Sequence, residues 1–117
     1  MEFEKSKLIE LKEKFDSIIN TEEKDNIEFW YARDLQIQLG YKRWENFIET
    51  IKKAMQSCEN AGIEVDNHFR EVTKMVQIGS GARRNLQDYM LTRYACYLIA
   101  QNGDSKKEEI AFAQTYF

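Results

Sequence analysis

Proline is absent from this sequence, histidine occurs once, cysteine twice and glycine five times. Without proline, no helix loses an amide donor or meets a locked φ. Two cysteines, Cys58 and Cys96, are too few for a disulfide framework or a four-thiolate zinc site. A cytoplasmic protein with reduced thiols is the expectation. With His68 as the single imidazole, the supply of metal ligands is thin, and no cofactor is expected. No apolar run approaches the ~20 residues of a membrane-spanning helix, so no membrane partner is expected. The opening residues Met1-Glu2-Phe3-Glu4-Lys5 lack the basic-then-apolar order of a signal peptide. A large charge of one sign is missing too: 17 Lys and Arg stand against 20 Asp and Glu, for a net −3. Taken whole, that balance speaks against a strongly cationic nucleic-acid binder.

What is present is a 117-residue chain, 43% apolar and 32% charged, long enough for one domain with a core of its own. Residues 3–20 read as a helix, because Leu8, Leu11, Phe15 and Ile18 recur at helical spacing and make one stripe. That stripe packs on its own domain or serves as a dimerisation arm. Thr21 to Asn26 is a polar break, and Ile27 to Tyr31 is β-prone. Ala32 to Leu39 reads as a short helix closed by Gly40. From Arg43 or Trp44 runs a long amphipathic helix, with Trp44, Phe47, Ile48, Ile51, Ala54, Met55 and Cys58 on its apolar face and Gly62 at its end. Residues 72–91 predict a β-hairpin turning at Gly79-Ser80-Gly81. Thr92 is placed to cap a helix whose residues Tyr94 to Ala100 are all apolar, which predicts burial on every side. Ser105 and Glu108 suggest a capping box for a last helix. The fold class expected is α+β, mainly helical, with one strand and one hairpin. The chain stops within an apolar helical pattern at Thr115-Tyr116-Phe117, so a fragment of a longer protein is expected. The expected division is an N-terminal helix, 1–20, and a domain, 21–117.

Two constellations point to nucleic acid. The short helix, glycine turn and long helix have the parts of a helix-turn-helix, and the start of the second helix carries Lys42, Arg43 and Asn46. Glu45 and Glu49 on that helix would oppose phosphate, and any two helices joined at a glycine imitate the motif. The hairpin tip places Arg83 and Arg84 beside a flexible turn, with Lys74 on the incoming strand. A basic β-ribbon suits phosphate contacts, although a solvated hairpin end looks the same in sequence. No G-x-x-x-x-G-K-[ST] pattern supports a nucleotide loop. Cys96 sits in an apolar helix, where a thiol is buried and inert, and His68 reads as a surface histidine. Asp88, Asp104, Glu108 and Glu109 are the carboxylates to weigh as metal ligands, with pairing and capping as the ordinary alternatives. Tyr41 and Tyr89 are the aromatics to consider for base stacking.

Two stretches resemble known families. Trp30-Tyr31-Ala32-Arg33-Asp34-Leu35 with Leu39-Gly40-Tyr41 is similar to a segment of phage antirepressors of the Bro-N type. Met75 to Gly79, Ala82-Arg83-Arg84, Leu91 to Leu98, Gln101-Asn102-Gly103-Asp104 and Ala113 to Phe117 resemble the DNA-damage-inducible protein D family. The likeness covers about Phe15 to Phe117 and leaves residues 1–14 outside. Ser105 departs from the family, where proline is frequent, and offers a cap in its place. The resemblance implies an antirepressor-like domain followed by a further C-terminal region. It also implies SOS-type induction in bacteria and a DNA-associated regulatory role without catalytic residues.

The charge is unevenly spread. Residues 1–28 carry −4 and 59–72 carry −3, whereas 29–58 carry +2 and 73–101 carry +3. The expectation is therefore a non-enzymatic regulatory domain making modest, salt-dependent DNA contacts through Lys42, Arg43, Lys74, Arg83 and Arg84. A second copy is a candidate partner through Leu8, Leu11, Phe15 and Ile18. The alternative is a protein-interaction module acting on a repressor or a DNA-repair protein without touching DNA.

Overall fold

The computed structural model describes residues 2–117, with side chains described from Ser6 onward. Helix α1 spans Glu2–Asp16, and strands β1 (Asn20–Glu22) and β2 (Ile27–Tyr31) follow it. Helices α2 (Ala32–Gln38) and α3 (Trp44–Asn60) come next. A 3-10 turn at Val65–Asn67 leads to β3 (Phe69–Ile78) and β4 (Ala82–Leu91), and α4 (Arg93–Gln101) and α5 (Glu108–Tyr116) complete the chain. The α+β class is as the patterning requires.

The strands form one antiparallel sheet in the order β1-β2-β4-β3. Asn20-Thr21-Glu22, expected as the end of a helix and the start of a polar break, forms β1; the segment is polar and lies on the sheet edge, with no alternation to detect. β2 meets β4 at only two pairs, Trp30↔Leu91 and Tyr31↔Met90. β3 and β4, by contrast, pair without a break from Phe69↔Leu91 to Ile78↔Ala82. At a rise of about 3.3 Å per residue, that ribbon is roughly 30 Å long. Only its root is buried, at Phe69, Asp88, Tyr89 and Leu91. Residues from about 75 to 86 are exposed or half-buried and extend the ribbon beyond that root as an arm.

The body packs the helices on that root. Trp30, Leu35, Leu39, Phe47, Ile51, Leu91, Ile99 and Ile110 are fully buried, each contributing about 1.5–3 kcal/mol by leaving water. α3 buries Phe47, Ile51, Ala54 and Cys58, as its spacing predicts. Gly40 follows α2 with φ +80°, the left-handed conformation that closes a helix. Thr92 caps α4, its side chain accepting from the Ala95 N–H at 3.1 Å.

Three expectations are corrected. α4 is not buried all round: Tyr97 is exposed and Tyr94 and Leu98 are half-buried, because α3, α5 and the sheet cover the other sides of the helix and leave this one to solvent. The capping box at Ser105 does not form, since α5 starts at Glu108 with Lys107 at its N-cap and no side-chain cap. Asp104 instead turns the chain, accepting from the Lys106 N–H at 3.0 Å. The stripe on α1 is largely used internally. Leu11 and Phe15 are buried, with Phe15 stacked against Phe112 and Tyr116 at 5.6 and 5.2 Å, so these two cannot face a second copy. α1 stops at Asp16 and does not reach residue 20, so Ile18 lies beyond the helix, half-buried, and Leu8 stays exposed.

Candidate nucleic-acid interface

The arm has two different faces, because strand residues alternate and directly paired residues share a side. One face carries Val72, Lys74, Val76 and Ile78 opposite Asp88, Leu86, Arg84 and Ala82. The other carries Thr73, Met75 and Gln77 opposite Gln87, Asn85 and Arg83. The first is mostly apolar and the second mostly polar and exposed. Arg83 and Arg84, neighbours in sequence, therefore project from opposite faces. Arg83 Nη1 lies 3.7 Å from Met75 Sδ, which places it on the polar side. Residues 75–86 include two cations, Arg83 and Arg84, and no acid, so the arm is a local concentration of positive charge on an acidic chain.

Lys74 is not free at the tip. Its ammonium lies 3.1 Å from Asp88 Oδ2 and 3.4 Å from the centroid of the Tyr31 ring. Asp88 is completely buried, and its Oδ1 accepts from the Arg33 N–H at 3.0 Å and the Tyr89 N–H at 2.8 Å. Arg33 lies in the first turn of α2, whose N-cap Tyr31 has no capping side chain. Asp88 thus supplies from a distant strand the acceptor that the helix lacks locally. The Arg33 side chain donates from Nε to the Gln87 carbonyl at 2.7 Å and lies 4.1 Å from the Trp44 ring. Together these contacts clamp the root of the arm to the starts of α2 and α3.

The α2–α3 turn presents Lys42, Arg43 and Asn46, all exposed. Arg43 stands 3.9 Å from Glu45, an exposed pair worth little. Trp44 Nε1 donates to Gln87 Oε1 at 3.4 Å, so the start of α3 adjoins the arm root. Gln87 stands three residues from Arg84, about 10 Å along the strand. Lys42 and Arg43 thus flank the base of the arm, and Arg83 and Arg84 occupy its outer end. Lys107, which sequence reading missed, joins the turn from α5 with its ammonium 4.8 Å from the Tyr41 ring. No local pattern pairs residues so far apart in the chain.

The aromatics divide. Tyr89 is buried, so its ring is unavailable for stacking, and burial first and Glu71 second push its phenol pKa up. Tyr41 is half-buried, with its hydroxyl 3.2 Å from Thr50 Oγ1. Cys96 is fully buried, and desolvation holds its thiol well above the ordinary value, the state of an unreactive core cysteine. His68 is half-buried, with Nδ1 2.7 Å from Thr92 Oγ1 beside the Tyr94 ring. Among the described residues, no three His, Cys, Asp or Glu side chains are grouped to hold a metal, so Asp88, Asp104, Glu108 and Glu109 are not brought together as ligands. Among the described residues, no helix is long and apolar enough to cross a membrane.

A small α+β body, a β-arm bearing cations and a short helix turning into a longer one define the class. The chain belongs to the BRO family, matching the model of its N-terminal domain over residues 18–117. Among curated proteins it is similar to DNA damage-inducible protein D of Escherichia coli (strain K12), with 51% identity over 90 residues. That match takes in 77% of this chain and 33% of the relative, so the chain spans about a third of that protein's length. No solved structure matches it.

Proposed function

We propose that this chain is a non-enzymatic regulatory domain of the DNA-damage response that contacts DNA directly. The observation that carries the reading is the arm, a projecting ribbon with cations and no carboxylate outside its root. Arg84 reaches phosphate from the outer end of the arm, and Lys42 and Arg43 do so from the start of α3, in the manner of a helix-turn-helix. Arg83 adds positive charge on the polar face. Lys74 serves the root, since Asp88 and Tyr31 occupy its ammonium. The role in DNA damage rests on the likeness to the inducible relative.

The test is a salt-titrated binding assay on single- and double-stranded DNA. Each phosphate contact removed by Arg84→Ala, Lys42→Ala or Arg43→Ala lowers the slope of log K against log salt by roughly 0.7–0.9. An unchanged slope in all three variants rejects these contacts, and no binding at low salt rejects the DNA reading.

Leu8 and Ile9 favour a second reading. Both are about half exposed, at 51% and 54%, and Leu8 lines a groove between α1 and α5 with Phe112, over the buried Leu11. That surface suits a protein partner, whether a second copy, a repressor or a repair protein. Light scattering of the chain and of Leu8→Ser/Ile9→Ser decides the self-association arm. A dimer mass that falls to the monomer value supports it, and a monomer mass in both rejects it.

A further inference from the structure

The two faces of the arm differ in a way that phosphate binding does not require. We infer that the polar face reads base edges in the major groove of duplex DNA, with Gln77, Arg83 and Asn85 as the readers. This rests on the DNA reading above and adds sequence discrimination to it.

The side-chain chemistry supports the assignment. Arginine forms bidentate bonds to guanine O6 and N7, and Asn and Gln do so to adenine N6 and N7. All three side chains are exposed on one side of the ribbon. Gln77 lies directly opposite Arg83, and Asn85 is the next residue on that face. Among the described residues, neither the Gln77 nor the Asn85 side chain hydrogen-bonds another protein group, so their donors and acceptors are open. Among the described residues, the Arg83 guanidinium makes one polar contact, to a thioether at 3.7 Å, a weak one that a base would displace.

Geometry agrees. Same-face residues on a strand are about 6.6 Å apart, close to two base-pair rises of about 3.4 Å. A two-stranded ribbon fits a major groove of about 12 Å, and the narrower minor groove of about 6 Å does not admit it flat. The opposite face is unsuited to reading. Val76, Ile78, Ala82 and Leu86 offer no hydrogen bonds, and Lys74 is held by Asp88. Arg84, on that outward side, is left for the phosphates of the groove wall. The absence of any acid between Glu71 and Asp88 lets the ribbon enter the groove without repulsion.

The test selects from a pool of duplexes carrying a randomised segment, using the 117-residue chain and the variants Gln77→Ala, Arg83→Ala, Asn85→Ala and Arg84→Ala. Because all four residues are exposed, circular dichroism is expected to be unchanged. The parent chain is expected to enrich a motif. Each reader variant flattens discrimination at its own position by about 5- to 150-fold, the 1–3 kcal/mol of a bidentate pair. Arg84→Ala weakens binding to all sequences alike and leaves the motif intact. Binding of the pool without enrichment overturns base reading and leaves DNA contact standing, as does a motif unchanged in every reader variant. Failure to bind the pool at low salt overturns both.

Discussion

Removing the Asp88 carboxylate probes the joint on which the arm depends. Asp88 is fully buried; its Oδ1 accepts from the Arg33 and Tyr89 N–H groups, and its Oδ2 forms an ion pair with the Lys74 ammonium. In Asp88→Ala the two amides lose their acceptor, and Lys74 loses its counter-ion. Breaking a buried pair from one side costs about 3–5 kcal/mol. The Lys74 side chain retains 37% exposure, so its ammonium rehydrates in part and the lower end applies. The expected loss is about 3 kcal/mol, or roughly 10 °C in Tm for a domain of this size. Urea unfolding followed by circular dichroism measures it. A double-mutant cycle with Asp88→Asn and Lys74→Met isolates the ion pair and is expected to show coupling of about 1 kcal/mol or more. Additivity within about 0.5 kcal/mol would refute the pair. A loss below about 1 kcal/mol in Asp88→Ala would refute the idea that this carboxylate ties α2 to the ribbon.

Two further perturbations test the body. A Cβ on Gly103 would lie 2.9 Å from Ile110 Cγ2 and 3.1 Å from Cδ1, and Ile110 is buried, so Gly103→Ala should cost about 1–3 kcal/mol by overpacking. Neutral stability in the same urea assay would show that α5 can shift. The pH dependence follows Asp16 and Tyr116, which are hydrogen-bonded to each other. The bond from Lys12, and then that from Tyr116, hold the Asp16 carboxyl below its ordinary value. Its contribution is therefore present above the ordinary carboxylate range and lost as pH falls through the lowered folded value. Burial, and then Asp16, push the Tyr116 phenol up, so its contribution is lost as pH rises above about 10. Asp16→Asn should flatten the acid side of a melting-temperature profile and Tyr116→Phe the alkaline side; profiles parallel to the parent would refute the assignment.

Local pattern alone was enough to delimit α3, β2, the hairpin turn and the Thr92 cap. Each depends on neighbours within a few residues, through a 3.6-residue stripe, a β-branched and aromatic run, a glycine turn or a side-chain oxygen near free amides. The same pattern failed for β1, which is a strand only because β2 lies beside it, and for Ser105, whose capping geometry the Asp104 turn displaced. The cations at positions 42, 43, 74, 83 and 84 were equally visible, as was the local excess of positive charge around them.

Their surroundings depend on long-range pairing. Hydrogen-bond register put Arg83 and Arg84 on opposite faces, and the fold of β2 against β4 brought Tyr31 and Asp88 to Lys74. Packing of α1 on α5 took Leu11 and Phe15 out of reach of any partner. Residue type and spacing set which chemistry the chain carries, since propensity and periodicity act within a few residues. The direction in which each side chain points, and whether its charge is already neutralised, follows from contacts between segments tens of residues apart, which no local pattern encodes.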